Sequence, residues 1–119
     1  IVDDDEAVRD SLQAMLESEG LRVETFDGGQ PFLDACAPGT RGCLLLDLNM
    51  PVMSGHDVLQ AMTERSIDLP VIAITGVSDL RVKARALEAG ARLLLEKPLE
   101  HQVLLDAIRR IMADPAAAG

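Results

Sequence analysis

Four apolar runs in this 119-residue chain end on residues able to do chemistry. Ile1-Val2 is followed by Asp3, Asp4, Asp5 and Glu6. Leu44-Leu45-Leu46 runs into Asp47, and Ile72-Ala73-Ile74 into Thr75. Leu93-Leu94-Leu95 runs into Glu96 and Lys97. Singly, each polar residue reads as a turn or a cap. Brought together, they describe a site. Crowded carboxylates repel, which raises the pKa of at least one of them. A hard divalent cation relieves the repulsion, and Mg²⁺ takes oxygen ligands in octahedral geometry while retaining waters. One or two carboxylates, a backbone carbonyl and phosphate oxygens would complete its shell. Lys97 supplies a positive charge for a phosphoryl oxygen. Thr75 offers one hydrogen bond, and Gly76 beside it leaves room. Asp47, isolated at the end of a central run, is the best nucleophile and would form an acyl phosphate. In-line phosphoryl transfer needs mainly positioning and charge neutralisation.

These groups meet only if the runs are neighbouring parallel strands. Ligands of open parallel sheets bind outside the carboxyl ends of the strands. The apolar spacing supports that arrangement. Ala7, Val8, Leu12, Met15 and Leu16 repeat at helical intervals, and Gly20 is the stop. Leu21 to Phe26 alternates and predicts a strand. Pro31 to Ala37 predicts a short helix. Cys43 to Leu46, Pro70 to Ile74 and Arg92 to Leu95 are continuous apolar runs, as expected of strands buried on both faces. Val58, Leu59 and Met62 mark a helix, and Asp79 to Ala89 another, closed by Gly90. Leu99 to Met112 predicts a last helix with Val103, Leu104, Ala107, Ile108 and Ile111 inward. With Ile1-Val2 as the end of a first strand, strands and helices alternate five times. That pattern specifies an α/β sandwich of three layers.

Composition excludes other roles. The chain carries 11 Lys+Arg against 20 Asp+Glu, a net charge of −9, with no Trp or Tyr and two Phe. Phosphate backbones reward a positive surface and bases reward aromatic platforms, so this fragment should contact no nucleic acid. Anionic membrane is equally disfavoured as a partner, and no apolar run nears the ~20 residues of a membrane span. Cys36 and Cys43 match no zinc or redox spacing and read as buried thiols in a reducing cytoplasm. His56 and His101 read as surface residues, and the five Met as core. Asp5 and Glu6 read as helix-start residues. The start at Ile1, without Met or a leader, reads as a trimmed domain. Residues 1–113 are expected to form that domain and 114–119 to begin a linker.

The motifs Val2-Asp3-Asp4-Asp5, Leu46-Asp47-Leu48-Asn49-Met50-Pro51 with Gly55, Ile74-Thr75-Gly76 and Glu96-Lys97-Pro98 together resemble the receiver domain of bacterial two-component response regulators. The resemblance covers essentially the whole chain. Ile1 to Leu12 and the Ile-Thr-Gly triplet look most like the FixJ type, whose receivers precede helix-turn-helix output domains. The resemblance implies a flavodoxin-like (βα)5 fold with strand order 2-1-3-4-5. It implies Asp47 as phosphoacceptor, Asp4 as direct Mg²⁺ ligand, Asp3 holding the metal through water, and the Asn49 carbonyl as backbone ligand. Thr75 and Lys97 would contact the phosphoryl group, and Lys97–Pro98 would be cis. A sensor histidine kinase would be the donor. The domain would not be an enzyme, beyond assisting its own phosphorylation and dephosphorylation. Its output surface would be the fourth helix, fifth strand and fifth helix, where phosphorylation promotes dimers. Arg81, Lys83, Arg85 and Arg92 cluster there, although an ordinary solvated face reads the same way. Leu94 departs from the pattern, because many receivers place an aromatic switch residue at that position. Asn49 and Val77 hold the two positions that tune acyl-phosphate lifetime.

Other readings fit less well. An aspartyl phosphatase of the haloacid-dehalogenase type needs a carboxylate two residues after its nucleophile, and Asn49 cannot serve as that acid. A flavin module needs a phosphate-cradling loop and covering aromatics; no organic cofactor is expected. A stand-alone receiver, acting as a phosphorelay intermediate or interaction module, stays open beside a transcriptional output.

Overall fold

A computed structural model describes residues 1–77 and 79–113. The linker expected at 114–119 lies outside the described residues. Among the described residues are five helices: α1 (Glu6–Ser18), α2 (Gly29–Ala35), α3 (Gly55–Glu64), α4 (Leu80–Glu88) and α5 (His101–Ala113). Strands β1 (Leu44–Asp47), β2 (Val71–Thr75) and β3 (Leu93–Glu96) form a parallel sheet in that order. Leu44 pairs with Val71 and Asp47 with Ile74; Ile72 pairs with Leu93 and Thr75 with Glu96. Val2 bridges Phe26 on one side and Leu46 on the other, both in parallel sense. Those bridges extend the expected order beyond β1. The predicted strand Leu21 to Phe26 is reduced to its last residue, and Ile1-Val2 to one bridging position.

The alternation of the strand residues builds the two faces. Leu44, Leu46, Val71 and Ala73 pack with Phe32 and Leu33 of α2, Val58, Leu59 and Met62 of α3, and Ala86 of α4. Leu45, Ile72 and Ile74 pack with Leu12 and Leu16 of α1 and with Leu104, Leu105, Ile108 and Ile111 of α5. Side chains two apart share a face of a strand, so one sheet separates two apolar layers. β1 and β2 are buried throughout, which is why their runs are unbroken. β3 is an edge strand of half-buried leucines, not the fully buried one its sequence suggested.

Caps set the helix ends. The Asp5 carboxylate accepts from Ala7 N–H at 2.9 Å and closes the start of α1. Ser54 and Asp57 form a reciprocal capping box on α3. Asp79 accepts from Val82 N–H at 2.9 Å on α4. Helix α2 begins at Gly29, ahead of the expected Pro31, and α5 begins at His101, past the expected Leu99.

Some side chains depart from expectation. Val103 and Met112 are exposed, because α5 turns only the stripe holding Leu104, Ile108 and Ile111 inward. Cys36 and Cys43 are free thiols, half-buried, and burial pushes Cys43 up to about 11. His56 is half-buried rather than superficial. Lys97–Pro98 is cis, as the resemblance implied. Among the described residues no helix is long and apolar enough to cross a membrane.

Gly55, the first residue of α3, sits against the end of β1. A Cβ there would lie 2.7 Å from the Asp47 carbonyl oxygen and 2.7 Å from Leu48 Cα. Backbone cannot yield as a flexible side chain can. Gly55→Ala is therefore expected to cost about 1–3 kcal/mol through overpacking. A lowered urea midpoint would show it; an unchanged midpoint would mean that α3 can shift freely against β1.

Candidate functional site

The carboxyl ends of the strands meet at one edge of the sheet. Asp47 is the last residue of β1, Thr75 the last of β2, and Asp3 follows the bridging Val2. Lys97 follows β3, and its backbone N–H donates to the Thr75 carbonyl at 2.8 Å. Backbone register, rather than flexible loops, thus fixes the starting point of every side chain. Asp3, Asp47 and Thr75 are the buried polar residues of the core, whereas Asp4 is exposed.

The carboxylates are held individually. Asp47 Oδ1 accepts from the Asn49 N–H at 3.0 Å. Asp3 Oδ1 accepts from the Asp5 N–H at 2.9 Å, and the Asp3 carbonyl accepts from the Arg9 guanidinium at 2.8 Å. Lys97 Nζ lies 3.5 Å from Asp3 Oδ2 and 3.7 Å from Asp47 Oδ2. One ammonium therefore serves two buried carboxylates, with the exposed Asp4 beside them. Burial raises the pKa of Asp47, and the charges of Asp3 and Asp4 raise it further; the Asn49 hydrogen bond and the Lys97 ammonium oppose the rise.

One oxygen from each of Asp3, Asp4 and Asp47 falls within 4.8 Å of the others. An octahedral Mg²⁺ with bonds of about 2.1 Å spans roughly 4.2 Å between opposite oxygens. Neighbouring oxygens of that shell lie roughly 3.0 Å apart, so the three carboxylates would draw closer together around an ion. Three carboxylates against one ammonium leave two negative charges, which a divalent ion would balance. The donor set, all hard oxygen, fits magnesium.

Thr75 is turned to its own chain. Its hydroxyl donates to the Val77 carbonyl at 3.0 Å and accepts from the Val77 N–H at 3.2 Å. It also accepts from Asn49 Nδ2 at 3.0 Å. Gly76 beside it has open space on its Cβ side. Leu94 pairs with Ala73 and packs, half-buried, against the core layer that contains Met50, Val58 and Ala86. Where an aromatic switch was looked for, an aliphatic side chain already faces inward. Away from these residues, a cavity of ≈ 760 Å³ is lined by Arg22, Glu24, Thr40 and Cys43 among others. It borders the amino end of β1 and takes in none of the acidic cluster.

Comparison with known proteins decides the family. The model of the response regulator receiver domain matches residues 1–109. The chain belongs to that family. TdiR of Thauera aromatica, a transcriptional regulatory protein, is 42% identical over 113 residues, covering 95% of this chain and 50% of TdiR. FixJ of Rhizobium meliloti strain 1021 is 42% identical over 119 residues, covering 99% of this chain and 58% of FixJ. The solved structure of FixJ-N superposes with a TM-score of 0.83 at 42% identity, covering 92% of this chain and 87% of that one. This receiver is of the FixJ type, with the flavodoxin-like fold. It spans about half the length of the curated relatives that it matches. Receiver domains are generally magnesium-dependent, and the acidic cluster is present here.

The structure brings Asp3, Asp4, Asp47, Thr75 and Lys97 to one edge, as their positions at strand ends suggested. Three features had no signal in the sequence. The first is the Asn49 amide on Thr75. The second is Val52, a β-branched residue at φ 67°, fully exposed in the loop after β1. The third is His56, whose Nδ1 is buried without a hydrogen-bond partner among the described residues. Burial lowers the pKa of His56, Arg85 of α4 lowers it further, and Asp57 opposes. No periodicity pairs α3 with α4, so this charge interaction could not be read from spacing.

The raised Asp47 pKa has a stability consequence. A carboxyl group whose folded pKa lies above its unfolded value stabilises the fold below the unfolded value, and that stability is lost as pH rises through the folded value. At pH 7 without metal, charged Asp47 therefore costs stability. Asp47→Asn in EDTA is expected to raise the melting temperature at pH 7, with the gain shrinking as the pH falls into the acid range where Asp47 is protonated. Calorimetric melts at pH 7 and in that acid range check this, and a lower melting temperature at pH 7 contradicts it.

Proposed function

We propose that this receiver accepts a phosphoryl group on Asp47 from a sensor histidine kinase, with magnesium bound at Asp3, Asp4, Asp47 and the Asn49 carbonyl. The observation that carries the reading is Lys97 Nζ set between Asp3 and Asp47 at 3.5 and 3.7 Å. A cation anchored there faces each new oxygen that arrives on Asp47. In the reaction, an Asp47 carboxylate oxygen attacks phosphorus as the bond from phosphorus to the donor histidine nitrogen breaks, and that nitrogen keeps the electron pair. Lys97 meets one phosphoryl oxygen, and Thr75, once turned, donates to another. Asp3, Asp4, Asp47 and the Asn49 carbonyl would hold the metal, which when bound would neutralise charge on the remaining oxygens. The Asn49 N–H holds the attacking carboxylate in place throughout. Asp47 ends as a mixed anhydride, and the domain needs no catalytic residue of its own beyond those that orient and neutralise. Thr75 and Leu94 would then report the charge to α4, β3 and α5.

Residues 1–113 would be the receiver proper and 114–119 the start of a linker. TdiR and FixJ are transcriptional regulatory proteins of about twice this length, which supports a transcriptional output carried elsewhere in the protein. A cytoplasmic setting suits the free thiols Cys36 and Cys43. Arg81, Lys83 and Arg85 make α4 basic within an acidic chain, and Leu80 and Leu87 on the same helix are exposed. These support a phosphorylation-dependent dimer through α4 and β3.

Incubation with acetyl phosphate and Mg²⁺ should give one labile phosphoryl adduct by intact mass spectrometry. It should be lost in Asp47→Ala and in EDTA; absence of the adduct from the unaltered protein would remove the reading. For the dimer, sedimentation with and without beryllofluoride and Mg²⁺ should show a shift from monomer toward dimer. A monomer under both conditions rejects it.

A further inference from the structure

We propose that the Asn49 side chain is the latch that holds Thr75 in its resting orientation, a positioning role separate from any part its backbone carbonyl plays at the metal. The inference rests on the phosphoacceptor reading for its purpose but not for its geometry.

A threonine hydroxyl has one hydrogen to donate and two lone pairs to accept with. In Thr75 all three capacities are filled: donation to the Val77 carbonyl at 3.0 Å, acceptance from the Val77 N–H at 3.2 Å, and acceptance from Asn49 Nδ2 at 3.0 Å. The set is self-consistent. With the single proton given to Val77, the nearby Asn49 atom must be a donor, so the amide is oriented with nitrogen toward Thr75. None of the three partners belongs to Asp47. With Asn49 in place Thr75 is 1% exposed, so its hydroxyl is held by these three partners.

To reach an oxygen on Asp47 the hydroxyl must withdraw its proton from Val77. Rotation about its side-chain bond also takes the oxygen away from Asn49. Two of the three restraints are backbone groups of Val77 and persist in any variant at that position other than proline. The third is the only one carried by a side chain. Asn49 is also the residue whose N–H holds Asp47 Oδ1 at 3.0 Å. One residue thus touches the reacting carboxylate through its backbone and the hydroxyl of the switch through its side chain. A change at Asp47 that moves the Asn49 backbone moves the latch with it.

The side chain of Asn49 stands at an exposed position between buried Leu48 and Met50. Removing its amide therefore leaves the core intact. A neutral hydrogen bond of this kind shifts a two-state equilibrium by roughly two- to tenfold. Asn49→Leu keeps the branched shape and deletes the donor; Asn49→Ala deletes both.

The test measures the rotamer of Thr75 by NMR, from three-bond couplings of its methyl carbon to the backbone nitrogen and carbonyl. In the free protein a single resting rotamer is expected. In Asn49→Leu and in Asn49→Ala, the second rotamer should gain population by roughly two- to tenfold without any phosphoryl mimic. Couplings identical to those of the unaltered protein in both variants would overturn the latch. Phosphoryl uptake from acetyl phosphate is followed in the same samples. Loss of uptake in the unaltered protein would count against the phosphoacceptor reading while leaving the rotamer result to decide the latch. Because a purely structural defect would lower stability without selecting a Thr75 rotamer, thermal melts of both variants separate the two explanations.

Discussion

One ammonium group between two buried carboxylates sets the terms for the rest of this molecule. Lys97 can stand there only because the strand that delivers it lies beside β2, with β1 and β2 between it and the bridging Val2 that delivers Asp3. Asp47 and Asp3 are carried inward by the most buried segments of the chain, where an unpaired charge is costly. The arrangement tolerates that cost and remains under-neutralised. An acidic chain with net charge −9 does little to relieve it from outside. The edge of the sheet is therefore poised to take up positive charge.

The fold serves this edge by simple means. Alternation along β1 and β2 sends Leu44, Leu46, Val71 and Ala73 to one layer and Leu45, Ile72 and Ile74 to the other. With both faces occupied by helices, polar groups have nowhere to go but the strand ends. Asp5, Ser54 and Asp79 then start α1, α3 and α4 beside those ends by binding free backbone N–H groups. Thr75 and Lys97 are further tied by a backbone hydrogen bond, so their side chains start from fixed points along the sheet edge.

What the sequence disclosed follows from which forces act locally. Asp3, Asp47, Thr75 and Lys97 were legible because each ends an apolar run, and runs of that length are strands between two layers. The helices were legible from 3.6-residue spacing and from their stops, Gly20 and Gly90, both at positive φ. The strand at Leu21–Phe26 was over-read: alternation reports a half-buried face, but only Phe26 finds a bridging partner. Val103 was misplaced because it borders the buried stripe of α5 by one position. His56 reads as a surface residue from spacing, but its half-buried ring depends on tertiary packing that local spacing does not carry. The Asn49–Thr75 bond joins residues 26 apart through side chains, a distance no local pattern spans.

The two glycines flanking the site are unequal. A methyl group on Gly55 would collide with the main chain at the end of β1, whereas one on Gly76 would meet nothing within 4 Å. The wall on the α3 side is wedged shut against Asp47, and the wall on the α4 side has clearance. Mechanical freedom at this end of the sheet is thus one-sided. The end of β1 meets main chain on its α3 side and open space beside Thr75.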